Sequence, residues 1–528
     1  MNQGTPKHFS APDGVAHAHS SYHRRSAAQS VQAVSRRAFM SRLLNEVKKA
    51  IHLSTAHMKL VSGLLLLLIS RPLWAQTQSA PSSAPAVRTF TVQEAVNYAL
   101  ANYPAVRAAI ERYVAAREGV SLAATNYLPS LNMIWQDNRA TRNNIAGLLL
   151  PQSIIPNPSG SVTPESGRSF WGSGAGVLLS YEPLDFGYRH AQMIAAESTA
   201  SRTQEELTLT RLDVASSVID ASLVLLAAQQ EVRASQADVD RRAIFAKSVH
   251  ALVDAHLRPG ADASRAEAEL AAARTRLVLS QQAERVDAAV LAQVLGLAGT
   301  EITIKPGPFL QAPPEKIWTS GPISTHPAAV AEERRVEESQ ARLSVVDHAY
   351  YPHISLQAMV SGRGSGANAQ GLPLPTSHGL WPGDAKNWAA GVSVTLPVLD
   401  FASIRARKRI EMANERREQA IYDQTIQNLT GLLAQAQDLL DASREVARNT
   451  PIELRAATES EAQARARFQA GLGTIVDVAE AQRLLLQAEI DDSLATLNIW
   501  RALARLAAAQ GNLQPFVDLA SQSPGGGH

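Results

Sequence analysis

The chain has 528 residues, enough for several domains or one large elongated one. It contains no cysteine, which excludes disulfides, thiolate metal sites and a lipidated N-terminal cysteine. Aromatic residues make up only 5% of the chain, a low share for a large globular core, and the formal net charge is +2.

The N-terminal part differs in composition from the rest. Residues 1–57 are polar and basic and are interpreted as a disordered leader or as the product of a mis-assigned start, with translation beginning at Met58. Residues 58–75 have the charged start, short apolar run and small final residue of a secretory signal peptide. Residues 1–75 hold ten of the 50 Lys and Arg residues but two of the 48 Asp and Glu residues, so the remainder carries a net charge of −6. A nucleic-acid partner is therefore not supported.

A first structural repeat is predicted over residues 90–300, after a linker at 76–89. It opens with a short helix from Thr91, which has a capping-box glutamate three residues on. Period-two alternation then predicts a strand hairpin at about 130–182, bounded by Pro129 and Pro183. A long helical hairpin over 188–296 completes this repeat.

The second half follows the same plan over residues 321–512, after an inter-repeat linker at 301–320. Its strand hairpin is predicted at about 353–397, bounded by Pro352 and Pro397. Its long helical hairpin covers 404–510 and precedes a C-terminal tail at 513–528. The shared order of prolines, strands, Asp–Phe pairs and glycine turns predicts an internal duplication.

The fold class is therefore mainly α with a small β part. A seven-residue apolar row on the first long helix and a row of alanines on the last one indicate close helix packing. These rows are Val218, Leu225, Val232, Val239, Ala246 and Val253, and Ala481, Ala488, Ala495, Ala502 and Ala509. High alanine content also reflects helix propensity alone, which is the simpler interpretation of the second row.

Four strands cannot close a barrel, because a membrane barrel needs at least eight. An open edge in lipid leaves backbone groups unpaired, so several copies would have to share one barrel, and three copies would supply twelve strands. Tryptophans near the strand ends fit an aromatic girdle, although they would also fit the core of a soluble sandwich; they are Trp135, Trp171, Trp381 and Trp388. The glycine-rich run 362–366 is predicted to be a flexible external loop and not a phosphate loop.

The tips of the helical hairpins are the candidate functional segments. Gly471 and Gly473 interrupt the second hairpin, and Thr474 is predicted to cap the helix that follows. Asp477 and Glu480 are three residues apart and share one face of that helix. They indicate either a ring of charge in a pore or simple compensation of the helix dipole. In the first hairpin, Gly260 and Asp262 occupy the corresponding turn.

Over residues 90–515 the chain resembles the TolC family of outer-membrane channels. The resemblance rests on the order and duplication of short motifs: Thr91–Ala95, the prolines at 104, 129, 327 and 352, Pro183–Gly187, Pro397–Phe401 and Gly471–Val478. It implies a homotrimer in which a twelve-stranded transmembrane β-barrel continues into a periplasmic α-barrel. It also implies contact with outer-membrane lipid, a periplasmic adaptor protein and an inner-membrane pump of RND or ABC type.

The same resemblance assigns roles to particular residues. It places Asp477, Glu480 and Asp262 at the periplasmic aperture, and Gly471, Leu472, Gly473 and Gly260 at the tips that contact the adaptor. It places Pro129, Pro183, Pro352 and Pro397 at the junction of the two barrels. Many family members carry a lipidated cysteine after the signal peptide; this chain has none, so barrel insertion alone is expected to anchor it.

The function expected from this resemblance is a passive conduit from periplasm to exterior in a tripartite efflux pump, gated at the helical tips. No catalytic constellation or cofactor site is predicted, so an enzyme is not expected. The exit duct of a type I protein secretion system is the first alternative, and it shares the same architecture. A periplasmic coiled-coil scaffold without a pore is a more distant one, because it leaves the alternating strands unexplained.

Overall fold

The computed structural model describes residues 87–141, 169–314, 321–366 and 372–521. The predicted leader and signal peptide lie outside these residues, as do most of the linker at 76–89, the last part of the inter-repeat linker and the end of the C-terminal tail. The whole loop between the first two long strands, residues 142–168, and residues 367–371 also lie outside them.

The first half contains two short helices, three strands and a long helical hairpin. Strand β1 (Arg88–Phe90) leads into helices α1 (Val92–Asn102) and α2 (Pro104–Thr125). Strands β2 (Ser130–Thr141) and β3 (Ser169–Leu184) follow. Helices α3 (Tyr188–Asp254) and α4 (Gly260–Val294) form the hairpin.

The second half contains the same kinds of element in a similar order. Strand β4 (Ile302–Ile304) pairs in parallel with β1, and helix α5 (Pro327–His348) follows. Strand β5 (His353–Ser365), the short helix α6 (Thr376–Leu380) and strand β6 (Ala385–Thr395) come next. The hairpin consists of α7 (Phe401–Gln469) and α8 (Ile475–Ala509), and α9 (Gln514–Ser521) ends the described chain. The duplication itself stays a prediction.

The four long strands form one antiparallel sheet in the order β2-β3-β5-β6. Pro129 and Pro352 directly precede strands β2 and β5, and Pro397 follows β6. Pro183 instead lies inside β3, where the register against β5 shifts between Tyr181 and Leu184. A proline has no N–H to donate to a ladder, and such irregularities are where strands tolerate it.

The prediction that the glycine-rich run 362–366 is a flexible loop is wrong for most of its length. Gly362 to Ser365 belong to β5 and pair with Ala175 to Gly172 of β3. The glycines are needed because the segment before β6 crosses them closely: a Cβ on Gly364 would lie 2.1 Å from the Trp381 carbonyl oxygen. Close backbone approach is a common reason for glycine inside a strand.

The long helices pack as the seven-residue rows predict. Val218 and Leu225 on α3 are fully buried, and Ala488 and Ala502 on α8 are too. Among the described residues, α3 alone is long and apolar enough to cross a membrane by composition, but 56% of its apolar window is buried in the protein. A helix packed in the core of a protein can have the same length, composition and burial.

One long helix runs through a proline. Helix α7 is continuous from Phe401 to Gln469 although Pro451 lies in its interior. Proline has no N–H for the carbonyl one turn earlier, so one backbone hydrogen bond of the helix cannot form at this point. Beside it, the Thr450 hydroxyl donates to Asp492 of α8 at 3.1 Å.

Candidate functional site

One face of the four-stranded sheet is apolar and exposed. Met133 on β2 pairs with Val177 on β3, which pairs with Val360 on β5, which pairs with Trp388 on β6, so the side chains form a row across the sheet. Two residues along the strands, Leu131, Leu179, Ala358 and Ala390 form a second row in the same way. The large apolar side chains exposed on this face are Leu131, Met133, Trp135, Val177, Leu179, Tyr181, Leu356, Val360, Trp388, Val392 and Val394. On the opposite face, Gln357 and Ser361 are buried.

Aromatic side chains border this face at both ends. Trp135 meets Trp381 edge to face with ring centroids 5.5 Å apart, and Trp388 is 79% exposed. At the end nearer the long helices, Phe186 lies 6.3 Å from Tyr351 and Tyr350 stacks on Phe401 at 5.8 Å. Sequence reasoning found the tryptophans but missed this second group, which belongs to the turns and not to the alternating strands.

The two aromatic borders are separated by a distance that suits a membrane. On β6, Trp388 lies at one border, and the strand ends beside the other border just before Leu396, eight residues on and about 26 Å along the strand. At the tilt of about 40° usual in membrane barrels, that corresponds to about 20 Å. The apolar band of outer-membrane barrels is about 25 Å tall.

The junction between β3 and α3 is held by a buried ion pair. The Arg189 backbone N–H and its Nε both donate to Asp185 Oδ2, at 2.6 and 2.9 Å. The Arg189 guanidinium also donates to the Asn126 carbonyl oxygen and lies 4.9 Å from the centre of the Tyr127 ring. Gly187 takes a φ of 98°, which lets the chain turn from strand to helix. The predicted Asp–Phe motif therefore links β3, α2 and α3.

Both hairpin tips end their first helix with the same backbone motif. At the second tip, Gly471 has a φ of 77° and the Leu472 N–H donates to the Arg467 carbonyl oxygen at 2.8 Å. At the first tip, His256 has a φ of 56° and the Leu257 N–H donates to the Leu252 carbonyl oxygen at 2.8 Å. This is the Schellman arrangement, and glycine is its usual left-handed residue.

The turn of the first tip is made by residues that correspond to those of the second tip. His256 and Leu257 precede Gly471 and Leu472 by 215 positions, the same offset that separates the two Asp–Phe pairs. Gly260, in contrast, is the first residue of α4 and does not make the turn. Leu257 is 69% exposed and Leu472 75% exposed, so each tip presents one leucine. The offset is the sequence signal that could have found Leu257.

The two tips of one chain are joined through Phe468. Its ring lies 5.3 Å from Phe245 of α3, and the Arg258 guanidinium lies 4.4 Å from its centroid. Arg258 also donates to the Phe468 carbonyl oxygen at 2.6 Å. Phe468 is 1% exposed and belongs to a small apolar cluster with Val249, Ala266 and others from both hairpins. Sequence reasoning missed this contact.

The predicted acidic residues of the second tip have partners within their own helix. Asp477 and Thr474 form a capping box, with the Thr474 N–H donating to Asp477 Oδ2 at 2.9 Å. Hydrogen bonds from Thr474 lower the pKa of Asp477 from its usual value. The cap therefore stabilises the folded tip at neutral pH, and this stabilisation is lost as the pH falls through the lowered pKa.

Glu480 is paired differently. The Arg483 guanidinium donates to both of its carboxylate oxygens, at 2.6 and 3.0 Å, and this contact lowers the Glu480 pKa. Both side chains are 65% exposed. Asp262 stands at the third position of α4 as Asp477 stands at the third position of α8, whereas Arg265 takes the place of Glu480.

A sheet with an exposed apolar face, continued by long helical hairpins, defines the class of outer-membrane channels built from strands and helices. The family comparisons agree. Residues 95–297 and 323–512 match the profile of the outer membrane efflux protein family. The chain belongs to this family, and the resemblance to TolC is confirmed.

Individual relatives are distant but cover most of the chain. Protein CyaE of Bordetella pertussis is 26% identical, and the match covers 82% of this chain and 87% of that protein. The pyoverdine export outer membrane protein OpmQ of Pseudomonas aeruginosa is 23% identical, with 78% and 82% covered. The solved structure of the outer membrane protein VceC from Vibrio cholerae superimposes with a TM-score of 0.63 at 19% identity, covering 80% of this chain and 96% of that one.

Proposed function

We propose that the protein is the outer-membrane component of a tripartite efflux pump and a passive conduit from the periplasm to the exterior. The observation that supports this most directly is the exposed apolar face of the sheet. In water, so large an apolar face on a sheet would drive association, whereas in lipid it is the expected surface of a barrel.

The sheet must be completed by other copies of the chain. Strand β2 pairs only with β3 and strand β6 only with β5 within the described chain, so each has an open edge. Unpaired edges are not tolerated in lipid, and four strands are too few to close a barrel. Three copies joined β2 to β6 give twelve strands, with the long helices continuing as a tunnel in the periplasm.

The tips are proposed as the gate and as the docking site for a periplasmic adaptor, which couples the channel to an inner-membrane pump of RND or ABC type. Leu257 and Leu472 offer two exposed apolar contacts per chain, beside Gly471 and Gly473. Asp477 and Glu480 form the acidic part of the aperture, together with Asp262. That the relative OpmQ is a pyoverdine export protein supports efflux as the role.

A conductance measurement tests the proposal. The purified mature chain in planar bilayers should form cation-preferring channels of low conductance, because the acidic tips narrow and charge the entrance. Asp477→Asn keeps an oxygen able to accept the Thr474 N–H, so it removes the charge and spares the cap. Together with Glu480→Gln it should reduce the preference for cations.

The matched control is Glu459→Gln with Glu453→Gln, which removes two charges from the exposed side of α7. It should leave ion selectivity unchanged. A trimer that fails to conduct in any of these forms contradicts the proposal.

A further inference from the structure

The start of helix α7 carries an unusual excess of positive charge. Between Phe401 and Arg417 there are six Lys and Arg residues and two acidic ones. The corresponding start of α3, residues 188–204, has Arg189 and Arg202 only. Arg189 is buried against Asp185, and Arg202 pairs with Glu206 and Glu338. The basic surface therefore belongs to one of the two long helices that follow the strands.

Most of these cations have no anionic partner in the described chain. Lys408 pairs with Asp347 at 2.7 Å, and Arg417 pairs with Glu418. No ion pair with any described residue involves the other four, which are all exposed: Arg405, Arg407, Arg409 and Arg416. Four unpaired guanidinium groups within twelve residues repel one another unless an anion lies nearby.

Helical spacing places three of these arginines on one face with apolar residues. Arg405, Arg409 and Arg416 follow Phe401 by four, eight and fifteen residues, and so lie on nearly the same side of the helix. Phe401 is 46% exposed and stacks on Tyr350 at the aromatic border nearer the long helices. Just before the helix, Leu399 is 93% exposed. An exposed apolar border followed by cations is typical of a segment at a membrane surface.

We propose that Arg405 and Arg409 bind the headgroups of anionic phospholipids in the periplasmic leaflet of the outer membrane. The proposal rests on the proposed function, since it requires the strands to lie in that membrane. Along the helix, Arg405 and Arg409 lie about 6 and 12 Å from Phe401. The headgroup layer is about 5–8 Å deep, and charge acts over about 8 Å beyond it at physiological ionic strength. Arg416, about 22 Å away, is out of reach.

This surface would supply part of the anchoring that a lipidated cysteine supplies elsewhere in the family. The apolar strand face holds the barrel at any depth where hydrocarbon surrounds it. Cations just outside that face fix its depth, because they bind the headgroups and resist entry into hydrocarbon. The chain has no cysteine that could carry a lipid.

The test measures the thermal stability of the full-length mature trimer in neutral detergent, with added phosphatidylglycerol or phosphatidylcholine. Phosphatidylglycerol should raise the melting temperature of the wild type more than phosphatidylcholine does, and salt should reduce the difference. Arg405→Gln with Arg409→Gln should lower the apparent affinity for phosphatidylglycerol by about 25-fold, since each arginine near an anionic surface contributes about fivefold.

Two control variants separate charge from fold and position. Arg405→Lys with Arg409→Lys should keep most of the phosphatidylglycerol effect, because attraction to the headgroups depends mainly on charge. Arg416→Gln with Arg455→Gln removes the same charge farther along the same helix and should also keep it.

Other outcomes overturn the inference. A wild type that is stabilised equally by both lipids has no anionic lipid site. If replacing Arg405 and Arg409 by glutamine changes the ion selectivity of the channel, the two arginines face the pore. If the same variant does not form a trimer in any lipid, they belong to the subunit interface. Conductance of the wild type in phosphatidylcholine bilayers separates this inference from the proposed function. A wild type that does not conduct contradicts the proposed function. A wild type that conducts but is not stabilised by phosphatidylglycerol contradicts only this inference.

Discussion

Phe468 is the single residue that most directly joins the two tips of one chain. Its ring is almost completely buried between Phe245 and the Arg258 guanidinium, although it stands three residues before an exposed turn. Its carbonyl oxygen accepts from Arg258 as well. The position of one tip therefore depends on the other through a side chain buried between the two hairpins.

Replacing Phe468 by Ala should loosen the tips. Loss of the buried ring is expected to reduce the stability of this cluster by about 3 kcal/mol, because burial is lost and a cavity forms. Hydrogen exchange should then become faster over residues 245–270 and 460–480, while the sheet keeps its protection. Leu472→Ala, at an exposed position, should change exchange little. Unchanged protection at both tips in Phe468→Ala would contradict this account.

At the scale of the element, the strands differ in their two faces. Val392 of β6 is 68% exposed on the apolar face and lies midway between Trp388 and Leu396. The next residue, Ser393, points to the opposite face. Neighbouring positions on one strand therefore have different expected environments, one in lipid and one in the interior of the barrel.

A lysine scan of these two positions tests the orientation of the sheet. Val392→Lys should destabilise the inserted protein by about 2–4 kcal/mol, the effect of a lysine near the middle of the bilayer on a lipid-facing position. Ser393→Lys should be much better tolerated, because the interior of such a barrel is polar. Folding into lipid vesicles against a urea gradient measures both. If Ser393→Lys proves the more damaging, the sheet faces the other way.

The helices and strands could be predicted because their periods differ. The alternation of Leu131, Met133 and Trp135 identified β2, and the row from Val218 to Val253 identified the packed side of α3. Thr474 and Gly471 were recognised because capping and left-handed turns select few residue types. Each of these signals is local, so neighbouring residues alone were sufficient.

What the sequence did not reveal depends on contacts between distant segments. Gly362 to Ser365 have the composition of a loop, and only the crossing segment near Trp381 explains glycine in a strand there. His256 at a positive φ could not be expected, since glycine and asparagine usually occupy that position. The contact of Arg258 with Phe468 joins residues 210 positions apart, and neither residue type indicates it.

At the scale of the whole molecule, the open edges of β2 and β6 determine how copies must associate. For the sheet to continue from copy to copy, the β2 edge of one copy must pair with the β6 edge of the next. The contact is therefore heterologous, and repeating it closes a ring. In the proposed trimer this pairing is repeated three times around the ring, which then holds twelve strands.

Cysteine cross-linking tests this arrangement well, because the natural chain has no cysteine. With Met133→Cys on β2 and Val392→Cys on β6 in the same chain, a short bis-maleimide should give covalent dimers and trimers in lipid. Each single variant should stay monomeric on a denaturing gel, because like edges do not meet. Equal cross-linking in either single variant would exclude β2-to-β6 closure.

The proline inside α7 has a mechanical consequence. Pro451 stands eighteen residues before the end of the helix, so about 27 Å of helix lies between it and the tip. A bend of about 10° at a point with one missing backbone hydrogen bond moves the end of such an arm by about 5 Å. Three arms around one axis would move outward together, and the width of the opening between them would increase by about twice that displacement.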